Sequence, residues 1–288
     1  MPSEDLRQQA IALYDRFTHV GMDRRLFMAR MVALAGSVAA AEALIGAIAA
    51  SPAAAAIVPA DDKRLTTRIQ ALANGYKAYV AEPRTRSLKP TVLVIHENRG
   101  LNDHTRDVAR RLAVAGFKAV AVDFLSPSGG TPANEDAARE AIGKLDLAAS
   151  TAAAVAILDE LTRSSRGGKV GAVGFCWGGG FVNRLAVAAG DKLDAGVVYY
   201  GPAPNPSEAP RVQAPLMIHH AGLDARVAQT LWPWVAALRA AGKDVTYFNY
   251  EGANHAFNND TSAERYDKAA ADLAWKRTLR FFRRHLAA

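Results

Sequence analysis

From about residue 60 onward, short and almost wholly apolar runs alternate with longer stretches in which apolar residues return every three or four positions. Segments 76–81, 91–95, 118–122, 169–173, 195–200, 216–220 and 245–250 have the length and apolar character of strands. The helical period covers 103–115, 134–161, 179–189, 229–241 and 262–286. Val108, Leu112 and Ala115 share one side of the first helical stretch, and Ile142, Leu145 and Val155 are among the apolar positions of the second. Strands alternating with helices of this length predict an α/β fold: a mostly parallel central sheet with helices on both faces. In such sheets the functional groups gather beyond the carboxyl ends of the strands. The proline-rich stretch 202–215 reads as a loop beyond one of those ends.

The most specific motif lies where the strand at 169–173 meets the helix at 179–189. Gly174-Phe175-Cys176-Trp177-Gly178 is a Gly-x-nucleophile-x-Gly sequence between a strand and a helix, the pattern of a nucleophile elbow. Glycines permit the sharp turn. The turn sets Cys176 at a helix N-terminus, where free N–H groups and the peptide dipoles favour a thiolate. The chain holds one cysteine, so an internal disulfide and a multi-cysteine metal site are both excluded, and no metal is expected.

Two further residues follow predicted strands. Asp224 comes after 216–220 and His255 after 245–250. The chain order of nucleophile, acid and histidine is that of α/β-hydrolases. In that arrangement His255 takes the thiol proton and later activates water, while Asp224 fixes the ring's tautomer. The loop Ile95-His96-Glu97-Asn98-Arg99-Gly100-Leu101 follows an early strand. It suits one oxyanion-hole donor, the backbone N–H of Asn98; the N–H of Trp177 suits the other.

Gly-Phe-Cys-Trp-Gly-Gly, the contexts of Asp224 and His255, Tyr199-Tyr200-Gly201 and the Glu97 loop together resemble the dienelactone hydrolase family over roughly residues 64–288. That resemblance implies an α/β-hydrolase fold, a Cys-His-Asp triad, no cofactor and a small ester or lactone as substrate. It further implies that Glu97 interacts with the Cys176 thiol and takes its proton when substrate binds. Dienelactone hydrolases proper hold a substrate carboxylate with two arginines. The matching stretches here, 122–128 and 257–260, contain none, and Arg99 and Arg226 are the available substitutes. Phe124, Tyr200 and Phe257 are candidate lining residues of an apolar pocket. Acyl transfer on the same triad and a non-catalytic envelope binding protein of the same fold are the alternatives.

Residues 1–56 have a different pattern and are read apart from the hydrolase domain at 57–288. Asp23-Arg24-Arg25-Leu26-Phe27-Met28 precedes a mildly apolar Ala/Gly-rich run and the small-residue stretch 51–56. This resembles a twin-arginine export signal, implying export machinery as a partner and a periplasmic destination. The alternative is a retained helical segment that packs on the domain or on a partner, in a cytoplasmic protein. The net charge of +7 arises wholly beyond residue 56, because the first 56 residues hold five Arg against five Asp and Glu. No basic block interleaved with aromatics accompanies it, so nucleic-acid binding is not expected.

Overall fold

The structure is a computed structural model that describes residues 4–49, 56–85, 89–165 and 168–287. The predicted α/β architecture is present. Eight strands form one sheet: β1 (Leu65–Ala71), β2 (Lys77–Pro83), β3 (Thr91–Ile95), β4 (Lys118–Asp123), β5 (Val170–Phe175), β6 (Ala195–Tyr199), β7 (Leu216–Ala221) and β8 (Val245–Tyr250). Their spatial order is β1-β2-β4-β3-β5-β6-β7-β8. Only β2 runs against the others, pairing antiparallel with β1 and with β4. The central strands β3, β5, β6 and β7 are buried along their whole length. That explains why they read as continuous apolar runs rather than as an alternating pattern.

Helices cover both faces. On one side α6 (Leu147–Ser164), α7 (Trp177–Ala188) and α8 (Ala225–Ala240) enclose a core that includes Leu93, Ile157, Leu185, Leu231 and Trp234. On the other, α4 (Asp103–Val114) and α9 (Lys268–Leu286) enclose a second core with Val94, Val108, Leu112, Phe175 and Phe282. Side chains at the helix starts satisfy the free amides there: Asn102 caps α4, Asp224 caps α8 and Asp267 caps α9.

Three expectations change. The stretch 134–161 is two helices, α5 (Glu135–Gly143) and α6, which meet at a 96° bend. Asp146 ends the continuity because its carboxylate accepts from the amides of Ala148 and Ala149, starting a new helix. The last helix starts at Lys268, and the stretch before it is turns. Strand β1 lies outside the predicted set. It is an edge strand with mostly exposed or half-buried residues, so it lacks an apolar run.

The N-terminal residues form α1 (Glu4–Val20), α2 (Arg24–Ala35) and α3 (Val38–Ile48). They share a core of their own, with Ile11, Tyr14, Phe17, Phe27, Met31, Leu44 and Ile48, separate from the two cores that flank the sheet. Asp23 caps α2, and Gly36 ends it at a positive φ of 84°. This three-helix cap lies over the carboxyl ends of the strands. Among the described residues no single helix is long and apolar enough to cross a membrane, although α2 and α3 pass by length and composition as a pair bent by 105°. Of the proposed cleavage stretch 51–56, residues 51–55 lie outside the described residues.

Candidate active site

Cys176 sits between β5 and α7 with φ 56° and ψ −114°, a conformation that a side-chain-bearing residue adopts only under strain. Close packing holds it there. A Cβ on Gly178 would lie 2.4 Å from the Ile95 carbonyl oxygen, and one on Gly174 would lie 2.0 Å from that of Gly178. Only glycine permits the elbow at these two flanking positions. The Cys176 amide donates to the Tyr199 carbonyl at 3.0 Å, tying the elbow to β6. The thiol is buried, at 4 % exposure.

Asp224 and His255 come together beyond β7 and β8. The His255 Nδ1–H donates to Asp224 Oδ2 at 2.5 Å. The second oxygen of Asp224 accepts the Val227 amide at 3.0 Å, and Arg226 lies 3.5 Å from Oδ2. Burial works against charge on the carboxyl, but the His255 ring, Arg226 and the amide outweigh it and hold Asp224 well below the usual carboxylate range. Burial also opposes a charged His255. The Cys176 sulfur and the Asp224 carboxylate outweigh it and raise the ring to about 10. The structure thus brings Cys176, His255 and Asp224 to one place.

The Glu97 loop lies across from them. His96 fixes it: its buried Nδ1–H donates to the Glu97 carbonyl at 2.7 Å, and its ring stacks on Trp177 with centroids 5.4 Å apart. Asn98 and Trp177, the two expected amide donors, therefore belong to neighbouring packed elements. Trp177 opens α7, so its N–H has no acceptor within the helix. Glu97 is engaged elsewhere than expected. Its carboxylate accepts from Tyr200 OH at 3.2 Å and from Asn259 Nδ2 at 3.1 Å. The direct partner of the thiol is His19, whose Nε2 lies 3.1 Å from Sγ.

His19 comes from the end of α1, and the cap's other contacts surround it. Asn98 Nδ2 donates to the Thr18 carbonyl at 3.2 Å, and Arg99 binds Tyr14 OH and Glu135. Arg265 pairs with Asp15 at 3.3 Å and lies over the Tyr14 ring. Burial, then the neighbouring His255, Arg226 and Arg265, hold His19 well below the usual histidine range, so the ring is neutral. Between cap and elbow remains a crevice lined by His19, Glu97, Arg99, Cys176, His255 and Arg265 among others. Its free space is about that of one water molecule. That accommodates a water molecule and no ester.

Of the expected lining residues only Arg99 borders this crevice. Phe124, Tyr200 and Phe257 are fully buried: Phe124 packs on Trp177 and Phe181, and Phe257 on Tyr199, Tyr200 and Tyr250. Phe124 and Phe257 pack in the core, while Tyr200 also reaches the site through Glu97 and the His255 ring, whose centroid lies 5.0 Å from its own. Arg226 braces the Asp224–His255 pair. Tyr14, His19 and Arg265 are the site residues that sequence reasoning missed. Nothing in their local pattern marks them, since chain folding alone brings them within reach of Cys176.

A strained residue on a strand-to-helix elbow, with a carboxylate and a histidine delivered by two later strand ends, is the architecture of α/β-hydrolases, and this chain has that fold. The dienelactone hydrolase family profile matches residues 76–286, and the chain belongs to that family of hydrolases. The Escherichia coli K12 protein named "Putative carboxymethylenebutenolidase" is 31% identical over 257 residues, covering 82% of this chain and 94% of its own length. "Protein usf" of Aquifex pyrophilus is 31% identical over 233 residues, 74% of this chain and 96% of the relative. Among solved structures, a dienelactone hydrolase-like promiscuous phosphotriesterase from metagenomic libraries superposes with TM-score 0.66. It is 26% identical, with 78% of this chain and all of the other covered. The dienelactone hydrolase of Anabaena variabilis, 20% identical, shares the fold at TM-score 0.63, covering 77% of this chain and 99% of its own.

Proposed function

We propose that the protein hydrolyses a small ester or lactone through an acyl-cysteine intermediate. The observation that carries this is the convergence of Cys176, His255 and Asp224 at one elbow, with the 2.5 Å His255–Asp224 bond orienting the ring. In this reading Cys176 attacks the carbonyl carbon while His255 manages the thiol proton. The backbone N–H groups of Asn98 and Trp177 receive the developing oxyanion. The leaving alkoxide departs with a proton from His255. Water, deprotonated by His255, then releases the acid. Glu97, held by Tyr200 and Asn259, lines the same crevice as Cys176. The chemistry needs no cofactor.

The test is intact-mass analysis of the protein mixed with p-nitrophenyl acetate, a set of small lactones and one phosphotriester, wild type beside Cys176→Ala. A Cys176-dependent acetyl adduct and at least a ~10⁴-fold loss of turnover in the variant are expected. Full turnover in Cys176→Ala would refute the mechanism.

We further propose that residues 1–56 direct export by the twin-arginine route, a reading supported by Arg24-Arg25 and the mildly apolar run after them. The segment's helices α1, α2 and α3 sit over the crevice, so its removal would open the site to substrate. The mass of the mature protein isolated from envelope and cytoplasmic fractions of its native host tests this. A mature protein retaining residues 1–56 would end the proposal.

A further inference from the structure

We infer that His19, Cys176 and His255 form a binding site for one divalent transition metal of the zinc class, assembled only when the N-terminal cap is docked. No metal is expected from the sequence. The tertiary structure changes that by bringing one thiol and two imidazoles together from three distant parts of the chain. The three potential ligand atoms, Cys176 Sγ and the two ring nitrogens, lie within 4.8 Å of one another. A tetrahedral zinc ion needs ligands spaced roughly 3.3–3.8 Å apart, given Zn–N near 2.0 Å and Zn–S near 2.3 Å. Only small side-chain shifts separate the two geometries.

The histidines are prepared as ligands. A metal-bound histidine nearly always donates its other ring N–H to a carboxylate or a backbone carbonyl. His255 Nδ1 makes that bond to Asp224 Oδ2 at 2.5 Å, and His19 Nδ1 makes it to the Asp15 carbonyl at 2.8 Å. A carbonyl oxygen only accepts, so Nδ1 of His19 carries the proton and Nε2 presents its lone pair to Sγ. His255 Nε2 is buried with no partner at hydrogen-bond distance; it carries a proton in the metal-free site, and the metal takes that proton's place. A second sign of a ligand is that this buried nitrogen, within 4.8 Å of the thiol, has no hydrogen-bond partner.

The surrounding charge tolerates a cation. Arg226 is paired with Asp224 and Arg265 with Asp15, while Glu97 borders the crevice. Thiolate and imidazole donors select zinc-class metals over magnesium and calcium, which prefer oxygen. The water-sized space beside the ligands suits a fourth, solvent ligand. On binding, the proton shared by Cys176 and His255 Nε2 leaves to solvent, and one sulfur–metal and two nitrogen–metal bonds form. The sulfur lone pairs are then occupied, so metal binding and attack on a carbonyl exclude each other. The cap thereby locks the nucleophile while it stays docked.

This inference needs no ester hydrolysis, and its readout is independent of activity. The untagged full-length chain, reduced and metal-free, is titrated with Zn²⁺ against a chromophoric chelator. It is also titrated with Co²⁺, followed by the thiolate-to-cobalt charge-transfer band in the near ultraviolet. One tight equivalent is expected, at least about tenfold weaker in His19→Gln. His19→Glu, which replaces one zinc ligand by another of similar reach, restores tight binding and so separates ligand loss from loss of cap docking. Cys176→Ser loses the charge-transfer band. Zinc affinity in His19→Gln equal to wild type, or no charge-transfer band in wild type, would overturn the site.

Discussion

The cap and the sheet body are held together by different physics. The body is two continuous apolar cores on either side of a sheet whose central strands are wholly buried. The cap has a small core of its own, and it meets the body through polar groups. Arg265 with Asp15, Arg139 with the Phe17 carbonyl, Arg24 with Asp136, and Ser262 with the Ile48 carbonyl are its main anchors. Apolar cores unfold cooperatively, whereas polar anchors exchange readily with water. The body is thus a rigid frame for Cys176, Asp224 and His255, and the cap a separable cover. The crevice beneath the docked cap is too small for an ester, so under the proposed function substrate entry requires this polar interface to open.

The sharpest contrast lies between the two cores. Phe282 is fully buried between Phe117 and the backbone at Gly171. Phe282→Ala is expected to cost the body about 3–5 kcal/mol in urea unfolding, the usual range for a deleted core aromatic. Phe27, stacked on Phe17 with centroids 4.2 Å apart, is the matching cap residue. Phe27→Ala should leave the body's midpoint in place and instead speed alkylation of Cys176. Equal loss of body stability in both variants would break the comparison.

The interface gives the next effect. Arg139 lies 4.5 Å over the Phe17 ring and Arg265 lies 5.3 Å over Tyr14, each with a hydrogen bond to the cap besides. Removing both, as Arg139→Ala with Arg265→Ala, should raise the rate of Cys176 alkylation roughly 10–100-fold, for about 1.5–3 kcal/mol of lost docking. Raised salt should act in the same direction on the wild type, more weakly. A labelling rate unchanged by both treatments would mean that the cap is held by something other than these pairs.

The smallest effect is the body's response to acid. His219 is fully buried between Tyr250 OH at 2.9 Å and Thr278 Oγ1 at 3.1 Å. Burial, then Arg277, lowers its ring to about 3. The unfolded chain binds a proton at His219 near pH 6.5 and the folded chain does not, so stability falls as pH drops from about 6.5 toward 3, by up to about 1.4 kcal/mol per unit from this group. His219→Gln should flatten that slope in urea titrations between pH 7 and 5. An unchanged slope would show that the ring is not kept neutral.

How far the sequence could be read depended on where the contacts lie. The strands β3 and β8 have the bounds that their patterns predict, and the elbow at Cys176 is local: two glycines, one strand and one helix start within a dozen residues. The kink at Asp146 escaped because an apolar period passes across it, while one carboxylate caps the new helix. Phe124 and Phe257 looked like pocket residues because an aromatic beside a site has the same local pattern as an aromatic in the core. Only packing distinguishes them.

By itself, the amino-acid sequence determined the α/β order of elements, the family, and the three residues that converge at the strand ends, because periodicity and turn chemistry act over short spans. Tertiary structure alone decided that His19, 157 residues before Cys176, would meet its sulfur, and that Glu97 would bond to Tyr200 and Asn259. Such contacts depend on how a cap with its own core docks through scattered arginines and carbonyls. That docking has no period and no motif for a linear pattern to carry.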